Sequence, residues 1–299
     1  MDTGDLAVFA AVAQEGGITR AAQKLNTVQS NVTQRVRLLE TELGVPLFHR
    51  HSRGVSLTSA GRQLLPYAER IGHLMAEAKQ AASDCGQPRG QIVIGALETA
   101  TAMRLPPVLA AYAASCPEVD IEIVTGTSAA LLDAVRARHI EAAFVAGPVD
   151  HAELAVLPLL EEELVMASAP WLGSLEDIVA TAPLKIVVFR AGCTYRLKLE
   201  ALLAARGAVG VRRLEFGTLE GIIGCVGAGI GVTLLPRAAV AQAAAAGRVR
   251  LHPLPSREAQ VPTVLVRRAD AFVSAALSRF IETARRQLAA SRPAAARGA

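Results

Sequence analysis

ITRAAQKLNTVQSNVTQRVRLLETEL, residues 18–43, contains two amphipathic patterns separated by a turn. The first, over 19–25, places Ala21, Ala22 and Leu25 on one face of a short helix. Asn26-Thr27-Val28 makes the turn. The second begins at Gln29 and Ser30 and sets Val32, Val36, Leu39 and Leu43 along one side of a longer helix. Its other side shows Asn31, Thr33, Gln34, Arg35 and Arg37, with no acid before Glu40. A helix divided in this way can bury its apolar side in a small core. It then offers amide, hydroxyl and guanidinium groups to a DNA groove.

The flanks extend the pattern. Residues 5–16 predict a first helix, with Leu6, Phe9 and Val12 on one side and Gly16-Gly17 at its end. Gly44-Val45-Pro46 stops the recognition helix, with glycine in the C-terminal capping position. Leu47-Phe48 returns to the core. Residues 49–55, HRHSRGV, alternate basic and polar side chains around a glycine and predict a hairpin, or wing, that reaches phosphates or the minor groove. Thr58 opens a long helix to about residue 83. Leu64, Ala68, Ile71, Met75, Ala78 and Ala82 alternate spacings of four and three along it, which is a heptad seam suited to dimerisation. Residues 85–90, CGQPRG, form a hinge.

Beyond the hinge the texture changes. Strands at 91–97, 119–125 and 142–146 alternate with helices at 103–115 and 128–138, a βαβαβ order that predicts a parallel sheet. Residues 157–163 read as a connection. A second set follows: strands at 164–168, 186–189, 213–216, 231–235, 249–251 and 262–266, helices at 195–206, 219–226 and 238–246, and a final helix at 271–288. This predicts two linked α/β lobes with a cleft between them. The expected division is 1–58, 59–87 and 88–290, with lobe I over about 91–160 and 267–290, lobe II over about 161–266, and a disordered tail at 291–299.

The composition agrees with this division without proving it. A chain of 299 residues is long enough for two or three cores. The net charge of +4 is compatible with a polyanion, yet residues 1–58 carry six Lys/Arg against five Asp/Glu, so any DNA contact depends on arrangement. No apolar run of about 18 residues predicts a transmembrane helix, and the amino terminus lacks the basic region of a signal peptide. The cytoplasm is the expected location. Cys85, Cys116, Cys193 and Cys225 show no metal-ligand spacing, and no metal or cofactor is expected. No GxSxG, Walker A or GxGxxG motif sits at a strand–helix junction, which argues against an enzyme or a solute carrier built on the α/β half.

Residues 5–65 resemble the LysR-type transcriptional regulators. The resemblance rests on several coinciding features: Ala21-Ala22, Gln29-Ser30, Leu39-Glu40 followed by Leu43-Gly44, Leu47-Phe48 with Arg50, and Leu57-Thr58 with Ala60-Gly61. Residues 91–290 resemble the family more loosely, best at Gly229–Pro236 (GIGVTLLP). The resemblance implies an α/β fold with an all-α amino-terminal part. Its pieces are a winged helix-turn-helix, a long linker helix that dimerises, and a two-lobed effector domain similar to periplasmic binding proteins. It also implies a homodimer assembling to a homotetramer on promoter DNA, a small-molecule effector, and RNA polymerase as a partner if the protein activates transcription.

On that basis Gln29, Ser30, Thr33 and Gln34 are expected to contact DNA, with glutamine suited to adenine and threonine to a thymine methyl. Arg35 and Arg37 are expected to hold phosphates. Arg50 and Arg53 are expected at the backbone or minor groove, unless one pairs with Glu40 or Glu42. The seam residues Leu64, Ala68, Ile71, Met75 and Ala78 are expected to dimerise. Effector contacts are expected from five loops that follow strands: Thr99 and Ala100, Thr127 and Ser128, Gly147, then Cys193, Thr194 and Arg196, and Gly217 and Thr218. The hydroxyls and Arg196 suit a small organic anion, while capping alone would also account for Thr127, Ser128, Thr194 and Thr218. Cys193, at a helix start near Arg196, offers a second trigger: both neighbours would lower its pKa and favour a redox-active thiolate.

Overall fold

A computed structural model describes residues 1–51, 54–174, 176, 178 and 183–290. The chain forms two compact units, Met1–Asp84 and Cys85–Ala299. In the first, helices α1 (Thr3–Glu15), α2 (Ile18–Lys24) and α3 (Gln29–Leu43) precede a hairpin of β1 (Phe48–His51) and β2 (Gly54–Leu57), then α4 (Ser59–Ser83). Asp2 caps α1 by accepting from Asp5 N–H at 2.8 Å. Gly16 and Gly44 end α1 and α3 in the left-handed conformation. Leu6, Phe9, Val12, Ala21, Ala22, Val32, Val36, Leu39, Leu47 and Phe48 form the core. Leu43 leaves this side of α3 at 38 % exposure. The last helical turn lies beyond the reach of α1 and α2, so only the first three members of the predicted stripe are buried.

The wing is pinned at both ends. Glu40 Oε1 accepts from the backbone N–H groups of Leu47 and Phe48, at 2.8 and 3.3 Å. Thr58 Oγ1 donates to the Pro46 carbonyl and accepts from Gly61 N–H. A Cβ at Gly61 would lie 2.3 Å from the Leu47 carbonyl oxygen, so only glycine lets α4 start this close to the β1 approach.

The heptad seam of α4 divides. Leu64, Ala68 and Ile71 pack on the core of their own unit, whereas Met75 is 51 % exposed and Ala78 lies in solvent. Tyr67, 66 % exposed, and Leu74, 41 % exposed, carry the free apolar surface one position ahead of the expected seam.

The second unit is built on a seven-stranded sheet. Its strands are β3 (Gly90–Ala96), β4 (Val119–Thr125), β5 (Ala142–Ala146), β6 (Leu154–Ser168), β9 (Thr233–Pro236), β10 (Arg250–Pro253) and β11 (Gln260–Arg268). The order is β10-β6-β11-β5-β3-β4, with β9 also on β6. β3 is parallel to β4 and β5, as the βαβαβ pattern requires. A second sheet pairs β7 (Lys185–Phe189) with β8 (Arg212–Phe216) in parallel and joins the first through the Ile186–Val232 bridge. Helices are α5 (Glu98–Met103), α6 (Leu105–Ser115), α7 (Ser128–Arg136), α8 (Thr194–Ala205), α9 (Leu219–Gly227), α10 (Arg237–Ala245), α11 (Ser256–Ala259) and α12 (Ala275–Ala290). Tyr112 of α6 donates to the Ala276 carbonyl of α12 at 2.8 Å, and Phe280 packs edge-on to Tyr112 and Phe144.

Three expectations change here. The predicted connection at 157–163 lies inside one continuous strand, β6. Its Glu161-Glu162-Glu163 run hides the strand pattern, and Glu162 is buried because Arg104 neutralises it through two bonds of 2.8 and 2.7 Å. The helix predicted over 103–115 breaks at Arg104, and Pro106 and Pro107 start a new helix where no intrahelical donor is needed. β6 serves both lobes: residues 154–163 pair with β11, and residues 164–168 with β9 and β10. β11 pairs with β5 over Thr263–Arg267, so the return to lobe I falls before residue 260 and not at 266.

Candidate functional site

The first candidate surface is the open face of α3. Gln29, Ser30, Thr33, Gln34, Arg37, Leu38 and Thr41 line one shallow groove. The start of α3 suits an anion. Its N-cap is Val28, which supplies no side-chain acceptor, and its first turn has no acid. Asn31 N–H bonds the Val28 carbonyl, while no side chain caps the Gln29 and Ser30 N–H groups at the positive end of the helix dipole. Thr33 Oγ1 donates to the Gln29 carbonyl at 2.9 Å, which uses the hydroxyl proton inside the helix. Ser30 is the second residue of α3, and the N-cap is Val28.

Internal pairing gives this face its charge. Arg35 is turned toward α1, 3.3 Å from Asp5 and 3.9 Å from Asp2. It does not line the groove, unlike Arg37. Glu42 pairs with the amino terminus and Glu15 with Lys24. Arg50 lies 3.9 Å from Glu40, the pairing alternative weighed for it. Arg53 lies outside the described residues. Arg37 is exposed in the groove, and among the described residues no carboxylate pairs with it. Leu38 and Thr41 were missed. They continue the i, i+4 rows from Gln34 and Arg37, one turn further along α3.

The second surface is a cavity of about 370 Å³ at the carboxyl ends of parallel strands from both lobes. Leu97, Glu98 and Thr99 follow β3. Thr125, Gly126 and Thr127 end β4, and Ala130 lies on α7. Phe189, Arg190, Ala191 and Cys193 follow β7 with Tyr195, and Phe216 and Gly217 end β8. Of the expected contacts, Thr99, Thr127, Cys193 and Gly217 line the cavity.

The others serve elsewhere. Ser128 and Thr194 latch the lobes together. The Thr194 hydroxyl donates, shared between Ser128 Oγ at 3.0 Å and the Ala146 carbonyl at 3.1 Å. Ala129 N–H adds a bond to the Gly192 carbonyl. Gly192, at φ +88°, has no room for a Cβ, which would meet Thr127 Oγ1 at 2.8 Å. Gly147 N–H bonds the Pro262 carbonyl, Ala100 is buried in the core, and Thr218 caps α9 through Gly221 N–H. Arg196 is held by Glu200 at 3.1 Å and Glu215 at 2.7 Å, outside the cavity lining, which removes the cation expected there. Phe189 and Arg190, at the end of β7 and directly after it, also line the cavity and are not among the expected contacts.

Burial pushes the Cys193 thiol up, and this outweighs the pull of Arg196 and of the Arg196 and Tyr195 N–H groups. Expecting a lowered value was wrong in direction, because a buried thiolate loses more hydration than these neighbours return. Burial likewise raises the Tyr195 phenol, so both groups meet a ligand as neutral donors.

Comparison with known proteins follows this division. The family profile described as "Bacterial regulatory helix-turn-helix protein, lysR family" matches residues 3–62, and "LysR substrate binding domain" matches residues 86–289. The HTH-type transcriptional regulator GltR of Bacillus subtilis is 40 % identical, covering 96 % of this chain and 97 % of that protein. YusT of the same organism, an uncharacterized HTH-type transcriptional regulator, is 44 % identical over 95 % of each. Among solved structures, full-length CbnR complexed with its target DNA superposes with a TM-score of 0.65 at 23 % identity, covering 96 % of this chain and 100 % of that one.

Proposed function

The chain belongs to the LysR family of DNA-binding transcriptional regulators with an effector-binding domain, and we propose that this member reads promoter DNA through the α3 groove and answers a small molecule held between its lobes. The observation that carries the reading is the α3 face. An uncapped, acid-free helix start stands beside Gln29, Thr33, Gln34 and an unpaired Arg37, while the acids of the same unit are engaged elsewhere. Gln29 and Gln34 offer bidentate amides to base edges. Ser30 and the α3 N–H groups take phosphate, as does Arg37. Arg50 supports the wing and reaches phosphate once released from Glu40.

One such face spans only half a site, so the working unit is a homodimer. Tyr67, Ile71, Leu74 and Ala78 follow one another by four, three and four residues along α4 and supply the stripe for pairing. Two dimers make the homotetramer, and contact with RNA polymerase would follow at promoters it activates. The protein works in the cytoplasm, where that DNA is. It acts by binding and not by catalysis. The buried, protonated Cys193 favours a bound effector over a thiol trigger.

Footprinting of the DNA flanking its own gene tests this reading. Two protected half-sites, with centres separated by whole helical turns, are expected. Protection no different from that on unrelated DNA would refute it.

A further inference from the structure

The cavity between the lobes carries two charges of opposite sign, and both are left open. Glu98 opens α5 directly after β3. Its carboxylate makes no hydrogen bond or ion pair among the described residues, so it is not a helix cap. Arg190 follows β7 in the other lobe, and its Nη2 lies 3.6 Å from where a Cβ on Gly217 would be. It too has no carboxylate partner among the described residues. This sets it apart from Arg104, Arg196, Arg206, Arg213 and Arg237 of the same unit, which are paired with Glu162, Glu200 and Glu215, Glu258, Glu200 and Glu163.

The rest of the lining fixes the size and the apolar part of a ligand. Phe189 and Phe216 are register partners at the ends of β7 and β8, and both line the cavity. Leu97 and Ala130 add apolar surface, and Thr99, Thr125, Thr127 and Tyr195 add hydroxyls. Helices α7 and α8 begin at this cavity; the Ala129 and Ala130 N–H groups are used by Gly192 and Thr127, so these helices add only their dipoles to Arg190 in favouring a carboxylate. Among the described residues, Glu98 is the only acid in the lining. In a site so arranged for an anion, an unpaired acid calls for a cationic group on the same ligand.

We infer that the effector is a small amphoteric molecule of the α-amino-acid type. Its carboxylate meets Arg190 and the helix ends, its ammonium meets Glu98, and an apolar side chain lies against Phe189 and Phe216. This rests on the reading of the cavity as the effector site and narrows that reading to one ligand class. A simple organic anion would leave Glu98 facing it unpaired, which costs affinity; an amino acid satisfies both lobes at once and so favours their closure.

Three matched sets of compounds test the inference on the full-length chain: L-amino acids with apolar side chains, the same molecules lacking the amino group, and the same molecules lacking the carboxylate. Melting shift and calorimetric titration are read for the wild type, Glu98→Gln and Arg190→Gln. The expected result is that an amino acid binds at least tenfold more tightly than either analogue. Glu98→Gln should erase its advantage over the deaminated acid, and Arg190→Gln its advantage over the amine. Circular dichroism equal to wild type shows that the variants fold. A deaminated acid that binds as well as the amino acid, with no effect of Glu98→Gln, overturns the amphoteric class and leaves the cavity reading standing. No binding by any of the three sets overturns both.

Discussion

At the scale of single residues, type and position carry different information. Helical spacing alone placed the amides and hydroxyls of α3 on one open groove. It did not place the arginines, because their fate depends on which acids other helices bring near. Arg35 and Arg37 are two residues apart, yet Arg35 faces Asp5 and Arg37 faces solvent. Thr33 shows the same limit. With its hydroxyl proton given to the Gln29 carbonyl, its hydroxyl can only accept from DNA and its methyl can still meet a thymine methyl. Thr33→Ala or Gln34→Ala should therefore lose about 1–3 kcal/mol of discrimination between operator and mismatched DNA in a gel-shift competition. Thr33→Val, which keeps the methyl, should retain most of it. His252 gives a residue-scale prediction in the other unit. It is buried beside Ser168, 2.8 Å away. Burial, with help from Arg250 and against Glu176, lowers its pKa. The folded state then binds fewer protons than the unfolded chain, so this contribution is complete above about pH 6.5 and is lost as the pH falls below it. The melting temperature should drop on acidification from pH 7 to 5.5, and His252→Gln should flatten that drop.

At the scale of elements, local signals located most boundaries. β4 and β5 fall where their apolar runs place them, and Gly44 ends α3 as a capping glycine should. β6 was missed because three consecutive glutamates look like a connection until Arg104 is brought to Glu162. That pair ties the α5–α6 break to the strand shared by both lobes. Removing one partner leaves the other buried and unpaired. Glu162→Gln should cost about 3–5 kcal/mol in denaturant unfolding, and Arg104→Met in the same background should recover part of it. The α4 seam was legible as a heptad, but its first members, Leu64 and Ala68, pack on their own unit, and Tyr67 and Leu74 stand exposed beside Met75 and Ala78. An apolar stripe wide enough to serve two contacts does not say which edge faces its own core. With Leu64 and Ala68 used internally, Leu74→Glu should shift the chain toward monomer in light scattering and leave its secondary structure intact. Dimers that persist in Leu74→Glu would rule out this stripe as the interface.

At the scale of the whole molecule, the division into a helical reading unit and a two-lobed α/β unit was visible in the change from helical to strand–helix periodicity at residues 85–90. The cavity lining was legible only in part. The rule that ligands gather at the carboxyl ends of parallel strands pointed to loops that line the cavity, while two of the hydroxyls expected there, Ser128 and Thr194, bond each other across the lobes. The central claim is that an unpaired α3 face holds DNA, and salt dependence tests it most directly. Fluorescence anisotropy of the full-length chain on its flanking promoter DNA should be titrated across ionic strengths for wild type, Arg37→Gln and Arg35→Gln. Arg37→Gln should lower the slope of log affinity against log salt by about one per bound subunit, while Arg35→Gln should leave it unchanged. Equal slopes for all three proteins, or a fall with Arg35→Gln alone, would contradict the account.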